Sequence, residues 1–410
     1  MWFVFIRVLL GTALLALTEF YFLRKVLRAL RRVFPRLSEK KIKIIRDIYL
    51  IIINTYPLFL ILAWSYSAIT GTSTLVPQDT LFDYIILFPF WGVFILSIQC
   101  CVLFLLVDFF RILSGLLIPS QKERILLLQS KVVLAIIAFF ILYVPVRIIY
   151  DYHSVSVRLV EYKKKDLPAE LNNFRITFVS DIQADRYTNS SRLDRFINKV
   201  NETQPDIVLI AGDVITSTPY YIQTAANYIG KIKSVFGVYS CVGDHDNWAY
   251  RNDNQKSLNE ITSALEKHKV EMVDNQNRFI KINDASVQIT FVTNTYIERT
   301  GDWQLDSLSK SGRESDIRIM LSHQPGNYLI KSASENDYDI FLAGHTHGGQ
   351  LTFLFPFYNI SPTLFETVYL RGDFKFGNLL MIVTRGLGMS LSPFRYNSTP
   401  EIVKIVFRKE

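Results

Sequence analysis

Two hydropathy patterns divide the chain. Up to residue 150 the apolar positions come in long blocks, at about 2–23, 48–70, 84–108 and 131–150. Each is near the ~20 residues that cross ~30 Å of hydrocarbon as a helix. Four such runs in so short a stretch predict a four-helix transmembrane region rather than core helices of a soluble domain. The first run carries Arg7 and has no small-residue cleavage site before Arg24, so it reads as a retained anchor, not a signal peptide. From about residue 154 the runs become short, β-branched and aromatic: Phe174–Ser180, Ile207–Ala211, Val235–Val242, Val287–Thr293, Ile317–Ser322 and Ile340–Ala343. Polar stretches of helical character lie between them, at 191–203, 221–233, 255–268 and 325–335. This alternation predicts an α/β layered domain. The expected organisation is a membrane domain over 1–150, a linker or first strand over 151–173, with the stretch around Lys163–Leu167 leaving the membrane, and the α/β domain over 174–410.

Charge sharpens this division. The chain holds 45 Lys and Arg against 37 Asp and Glu, a net +8. Residues 1–153 take 16 of the basic and 8 of the acidic residues, which leaves 29 of each for the remainder. The whole excess therefore lies in the apolar half, where it reads as topology or headgroup contact; a nucleic-acid partner is not expected. Ten Lys and Arg fall between the first two apolar runs, from Arg24 to Arg46, whereas the next loop, 71–83, has none and carries Asp79 and Asp83. The positive-inside bias puts the first and third loops in the cytoplasm. With four crossings the large second half then faces the periplasm or cell exterior, on a multi-pass protein of the cell membrane. Three cysteines, Cys100, Cys101 and Cys241, form neither a disulfide framework nor a zinc cluster.

Candidate chemistry gathers at the C-terminal ends of the predicted strands, where open α/β sheets place ligand sites. Asp181 and Gln183 follow the first, and can present two oxygens to one cation. Gly212-Asp213 follows the second. Either motif alone is also an ordinary cap or turn aspartate. Asp244-His245-Asp246 follows the third, an unusual density of ionisable groups against an apolar strand. His323 follows another, where a satisfied structural histidine is the commoner case. Gly344-His345-Thr346-His347-Gly348-Gly349 is the strongest block, with two imidazoles, the common transition-metal donors, two residues apart.

In this order the blocks resemble the calcineurin-like metallophosphoesterase superfamily, and its membrane-associated bacterial branch in particular. The family pattern Asp-x-His, Gly-Asp, Gly-Asn-His-Asp/Glu, His, Gly-His-x-His is matched here by Asp181-Ile182-Gln183, Gly212-Asp213, Gly243-Asp244-His245-Asp246, His323 and Gly344-His345-Thr346-His347. Thr384–Gly388 and Thr399–Ile402 extend the resemblance toward the C-terminus. It implies a β-sandwich flanked by helices, with two metal ions at the strand ends. Asp181, Gln183 and His347 would bind one, Asp244, His323 and His345 the other, and Asp213 would bridge them. Catalysis would fall to a metal-activated hydroxide, with His245 as charge stabiliser or acid, Asp246 orienting it, and Arg385 and Arg395 contacting phosphate. Gln183 stands where the pattern has histidine, and Asp244 where it has asparagine. A glutamine there also occurs in a branch resembling manganese-dependent ADP-ribose/CDP-alcohol pyrophosphatases. Both changes favour oxygen donors, hence manganese ahead of magnesium, iron or zinc. The expected activity is hydrolysis of a phosphate ester, phosphodiester or pyrophosphate, with a lipid-linked substrate suggested by location alone. Two other readings stay open: a catalytically silent membrane scaffold, and a transporter or sensor driven by the helices.

Overall fold

The computed structural model describes residues 2–71, 77–250 and 252–410, with 2–10 described as backbone only. The chain divides into two compact units, Met1–Ile149 with Phe353–Ile360, and Tyr150–Thr352 with Ser361–Glu410.

The first unit is helical: α1 Trp2–Val33, α2 Glu39–Thr70, α3 Thr80–Phe82, α4 Phe88–Leu117 and α5 Lys122–His153, the last continuing across the division. Local signals set the ends. Ser38 caps α2 by accepting from the Lys41 amide, Gly71 ends it in the left-handed region at φ 70°, and Asp79 caps α3 by accepting from the Phe82 amide. Among the described residues three helical stretches are long and apolar enough to cross a membrane: Glu39–Thr70, Thr80–Leu117 and Pro119–His153. Their outward side chains, Ile61, Trp64, Phe109, Leu116 and Leu142 among them, are apolar and exposed, as hydrocarbon requires of a solvent-facing surface. Of the expected first crossing, 2–23, residues 2–10 lie outside those whose side chains are described, as do residues 72–76 of the uncharged-to-acidic loop. Residues Phe353–Ile360 group with this unit rather than with the segments that flank them in sequence. Within it, the buried Gln99 amide donates to the Leu354 carbonyl at 3.0 Å and accepts from the Leu354 amide at 2.8 Å.

The second unit has two six-stranded mixed sheets, ordered β1-β12-β2-β3-β4-β5 and β10-β11-β9-β8-β7-β6. The strands of the first are β1 Ser156–Lys164, β2 Arg175–Val179, β3 Ile207–Ile210, β4 Val238–Cys241, β5 Val270–Val273 and β12 Glu401–Lys409. Those of the second are β6 Gln276–Ile282, β7 Ala285–Val292, β8 Ile317–Ser322, β9 Ile340–Ala343, β10 Gly372–Phe376 and β11 Leu379–Val383. The helices are α6 Ser190–Glu202, α7 Ile222–Ile229, α8 Asn254–Glu266, α9 Asp302–Lys310 and α10 Asn327–Glu335. The central strands are buried on both faces and rich in apolar residues, and β3, β9 and β11 are apolar throughout. In β2 the alternate residues Ile176 and Phe178 join the core between the sheets, while Val179 packs under the helices; β3 repeats this with Leu209 inward and Val208 and Ile210 outward. In the second sheet Ile319 of β8 and Leu342 of β9 face the inter-sheet core, and Met320 and Phe341 face α10 and its neighbours. Residues 156–164 form an edge strand paired in parallel with β12. The parallel runs β2-β3-β4 and β7-β8-β9 bring their C-terminal ends to one edge.

Candidate metal centre

Seven of the predicted ligands leave the ends of β2, β3, β4, β8 and β9. Close backbone approach makes this convergence possible. A side chain on Gly212 would meet the Gly243 amide nitrogen at 2.5 Å, and one on Gly243 would meet that of Asp213 at 2.2 Å, so the two Gly-Asp turns press directly on each other. Five of the seven, Asp181, Gln183, Asp213, His345 and His347, hold positive φ between 48° and 68°. Non-glycine residues pay for that conformation in steric energy, and such strain concentrates at functional sites.

Two sets of donors could each hold a cation: Asp244, His323 and His345, and Asp181, Asp213 and His323. His323 Nε2 lies 3.2 Å from Asp244 and 3.4 Å from Asp213, facing both sets. Its Nδ1 is 2.7 Å from the Ala211 carbonyl, which fixes the proton there and leaves Nε2 as the donor toward a cation. His345 Nδ1 is 2.9 Å from Asp244 and 3.3 Å from His323 Nε2. His347 Nε2 is 3.6 Å from Asp181 Oδ1. That oxygen is buried and has no hydrogen-bond partner, an orphan carboxylate atom that a cation would satisfy. Gln183 is oriented with Nε2 donating to Asp213 at 2.9 Å and Oε1 accepting from Thr216 at 3.3 Å; a half-turn of the amide would present the oxygen instead. The donor set thus fits two divalent cations.

Without metal, the cluster balances its own charge. Burial pushes the Asp213 and Asp244 carboxyls up, but His323 and its imidazole neighbours outweigh it, holding Asp213 near 2 and Asp244 below the carboxylate range. Burial would depress His345, yet Asp244 and Glu366 raise it to about 9. His347 is pushed well below its ordinary value by burial and the Arg395 charge, so it stays neutral, the form that ligates metals. A group raised in the folded state stabilises fully below its unfolded value, 6.5 for histidine, and that contribution is lost as pH rises through about 9. In chelator, the protein's unfolding midpoint should therefore fall between pH ~6.5 and ~9. Saturating metal, which replaces the protons, should flatten that slope; equal slopes with and without metal would contradict the assignment.

Several neighbours carry no sequence signal. Gln324 donates to both Asp244 oxygens, at 3.0 and 2.8 Å, and the Tyr296 amide donates to Oδ1 at 2.6 Å. These donors offset the extra negative charge that aspartate brings at this position. Glu366 lies 2.9 Å from His345 Nε2 and accepts from the Tyr296 hydroxyl. It orients that ring from a loop 21 residues downstream, which no local motif announces.

Two expected roles change. Asp246 does not face the His245 ring. Its carboxylate accepts from the amides of Asp213, Val214 and Gly243, at 3.0, 2.8 and 2.8 Å, and so fastens the two Gly-Asp turns together. The His245 ring instead meets the Thr216 carbonyl through Nδ1, leaving Nε2 3.1 Å from the Ser390 hydroxyl. Arg395 is buried, and its guanidinium donates to the carbonyls of Gly388, His347, Ser398 and Arg385 at 2.8–3.2 Å, so it braces the His347 loop rather than contacting phosphate. Arg385 packs against Gly348, with Nε 3.4 Å from Glu401.

Comparison with known proteins agrees with the geometry. The calcineurin-like phosphoesterase profile matches residues 174–349. A metallophosphoesterase of Campylobacter jejuni is 26% identical over 61% of this chain and 63% of its own length. The Bacillus subtilis metallophosphoesterase YkuE is 28% identical over 61% of this chain and 84% of its own. A zebrafish (Danio rerio) transmembrane protein with metallophosphoesterase domain is 26% identical over 61% of this chain and 56% of its own. The match spans less than two thirds of the Campylobacter and zebrafish proteins. Residues 174–349 form a calcineurin-like metallophosphoesterase domain.

Proposed function

We propose that this protein is a membrane-anchored dimetal phosphoesterase whose catalytic domain lies outside the cytoplasm and acts on a phosphoester close to the lipid headgroups. The observation that carries the reading is the convergence of left-handed ligand residues around the orphan Asp181 oxygen. Asp181, Gln183, His347 and the shared Asp213 would hold one cation, and Asp213, Asp244, His323 and His345 the other. When bound, a pair of divalent cations supplies positive charge against phosphoryl oxygens and acidifies water. The chain's own part is positional. His323 and His345 are fixed in ligand tautomers by Ala211 and Glu366. His245 keeps Nε2 free of backbone contact, so that nitrogen can meet a phosphoryl or leaving-group oxygen and shift a proton there. Asp246 holds the turn that presents it. The apolar helices support membrane anchoring; the first apolar run, 2–23, would add a fourth crossing to these three, and the one-sided basic loops then favour the outward orientation.

Purified full-length protein would be stripped of metal, then given manganese, magnesium, zinc or iron singly. It would be assayed on bis-(p-nitrophenyl) phosphate, p-nitrophenyl phosphate and phospholipid vesicles. Metal-restored turnover, strongest with manganese, is the expected result. Two bound cations without turnover on any of these would favour the silent-scaffold reading.

A further inference from the structure

The first unit contains a cavity of about 640 Å³ where the C-terminal ends of α1 and α4 meet the N-terminal part of α5. Six cationic side chains line it: Arg24, Lys25, Arg28, Arg31, Arg32 and Arg111. Asp108 is the one carboxylate among the lining residues, and it is already engaged by Lys25, by the Tyr21 hydroxyl at 2.8 Å and by the Gln129 amide at 2.6 Å. Arg111 faces the same carboxylate at 3.6 Å, and Arg31 pairs with Glu39 at 2.9 Å. Among the described residues no carboxylate lies within ion-pair distance of Arg28 or Arg32. Arg24, Arg28, Arg31 and Arg32 are exposed, so the positive charge at this cavity exceeds what the described carboxylates neutralise and is open to an anion from outside the protein.

We propose that this cavity binds the phosphate headgroup of an anionic membrane lipid. The inference rests on the first unit alone and is independent of the metal centre. A topology signal accounts for basic residues in the loop after α1, and the α1 dipole favours Arg31 and Arg32 in its last turn. Neither requires Arg111 of α4 and Gln129 of α5 to converge on the same cavity. Guanidinium forks match phosphate oxygens in pairs, which an array of arginines exploits better than lysines would. The wall also contains Phe20, Leu126 and Val133, an apolar margin beside the basic one. That combination suits a phosphate with a lipid tail better than a free anion, and basic pockets between transmembrane helices are a recognised headgroup site.

The test uses the full-length protein in nanodiscs of phosphatidylcholine doped with phosphatidylglycerol, with lipid retention read by native mass spectrometry. Three proteins are compared: wild type, Arg28→Ala with Arg32→Ala, and Lys40→Ala with Lys41→Ala, basic residues of the same region outside the cavity. Far-UV circular dichroism checks that each folds. Wild type should retain phosphatidylglycerol over phosphatidylcholine. The arginine pair should weaken retention about ten- to thirty-fold, while the lysine pair changes it little. Displacement of the lipid by inorganic phosphate would support the headgroup as the recognised part. Phosphate binding without any preference for phosphatidylglycerol would overturn the lipid source. Equal retention of both lipids, or equal loss in both double variants, would overturn the site itself.

Discussion

Asp213→Asn should reduce metal-restored hydrolysis by on the order of 10³-fold, at or beyond the loss seen on removing one charge-stabilising group from an active site. The side chain is nearly isosteric, so packing is kept while one charge is removed from the centre of the cluster. Asp213 accepts from the His245 amide at 2.8 Å and from Gln183 at 2.9 Å, and it faces His323 at 3.4 Å. In the proposed assignment it is the carboxylate shared by the two cations, and it sits with Asp181 and His323 in one of the two donor sets. Bound metal, counted by elemental analysis after gel filtration, should fall below two ions per chain. The metal-free variant should also be less stable than wild type at neutral pH. The wild-type carboxylate, held near 2, stabilises above its unfolded value of 3.8 and loses that contribution only as pH falls toward 2. Wild-type turnover in a folded Asp213→Asn protein would show that hydrolysis happens elsewhere.

Arg395→Ala should act on stability before it acts on catalysis. The guanidinium ties together four backbone carbonyls from 347, 385, 388 and 398, all inside the protein. Losing it removes a donor from each of these carbonyls, although that of His347 keeps the Gln350 amide and the Ser398 hydroxyl, and opens a cavity, at a cost of about 3–5 kcal/mol. In a domain of this size that corresponds to a fall in melting temperature of roughly 10 °C. A phosphate-contact arginine would behave in the opposite way, raising KM with little thermal effect. Thermal unfolding in chelator, set beside KM for a phosphodiester, separates the two. An unchanged melting temperature with a raised KM would restore the substrate-contact role.

The comparison of Arg395 with Asp181 shows what kind of information the linear chain carries. Asp181, Asp213, Asp244, His323, His345 and His347 were legible because each directly follows an apolar β-branched run. A strand end in a parallel sheet is a fixed place in the fold, so local sequence suffices to locate it. Strands β3 and β9 were legible because burial on both faces writes a continuous apolar word, and β2 and β8 because Thr177 and Arg318 are their only interior polar interruptions. The edge strands β1, β6 and β10 are half-exposed, with polar residues at alternate positions, and the sequence reads there as linker or loop. An arginine 48 residues from a histidine says nothing locally about which way its side chain goes. Packing decided that, by enclosing Arg395 among four backbone carbonyls that accept from its guanidinium. The same holds for Asp246, which lies beside His245 in sequence but points to the amides of the neighbouring turn.

By itself, then, the sequence determined the division into an apolar helical half and an α/β half, the order of the sheet's central strands along the chain, and the residue types available at their ends. Tertiary structure decided how those ends are wired. It placed Gln324 on Asp244 and Glu366 on His345, turned Arg395 into a brace, and gathered six cations from two helices around one cavity. The physical reason is range. Hydrophobic period and backbone propensity act over a few neighbouring residues, whereas hydrogen bonds and charge pairs between loops depend on distances that exist only after the strands and helices have packed.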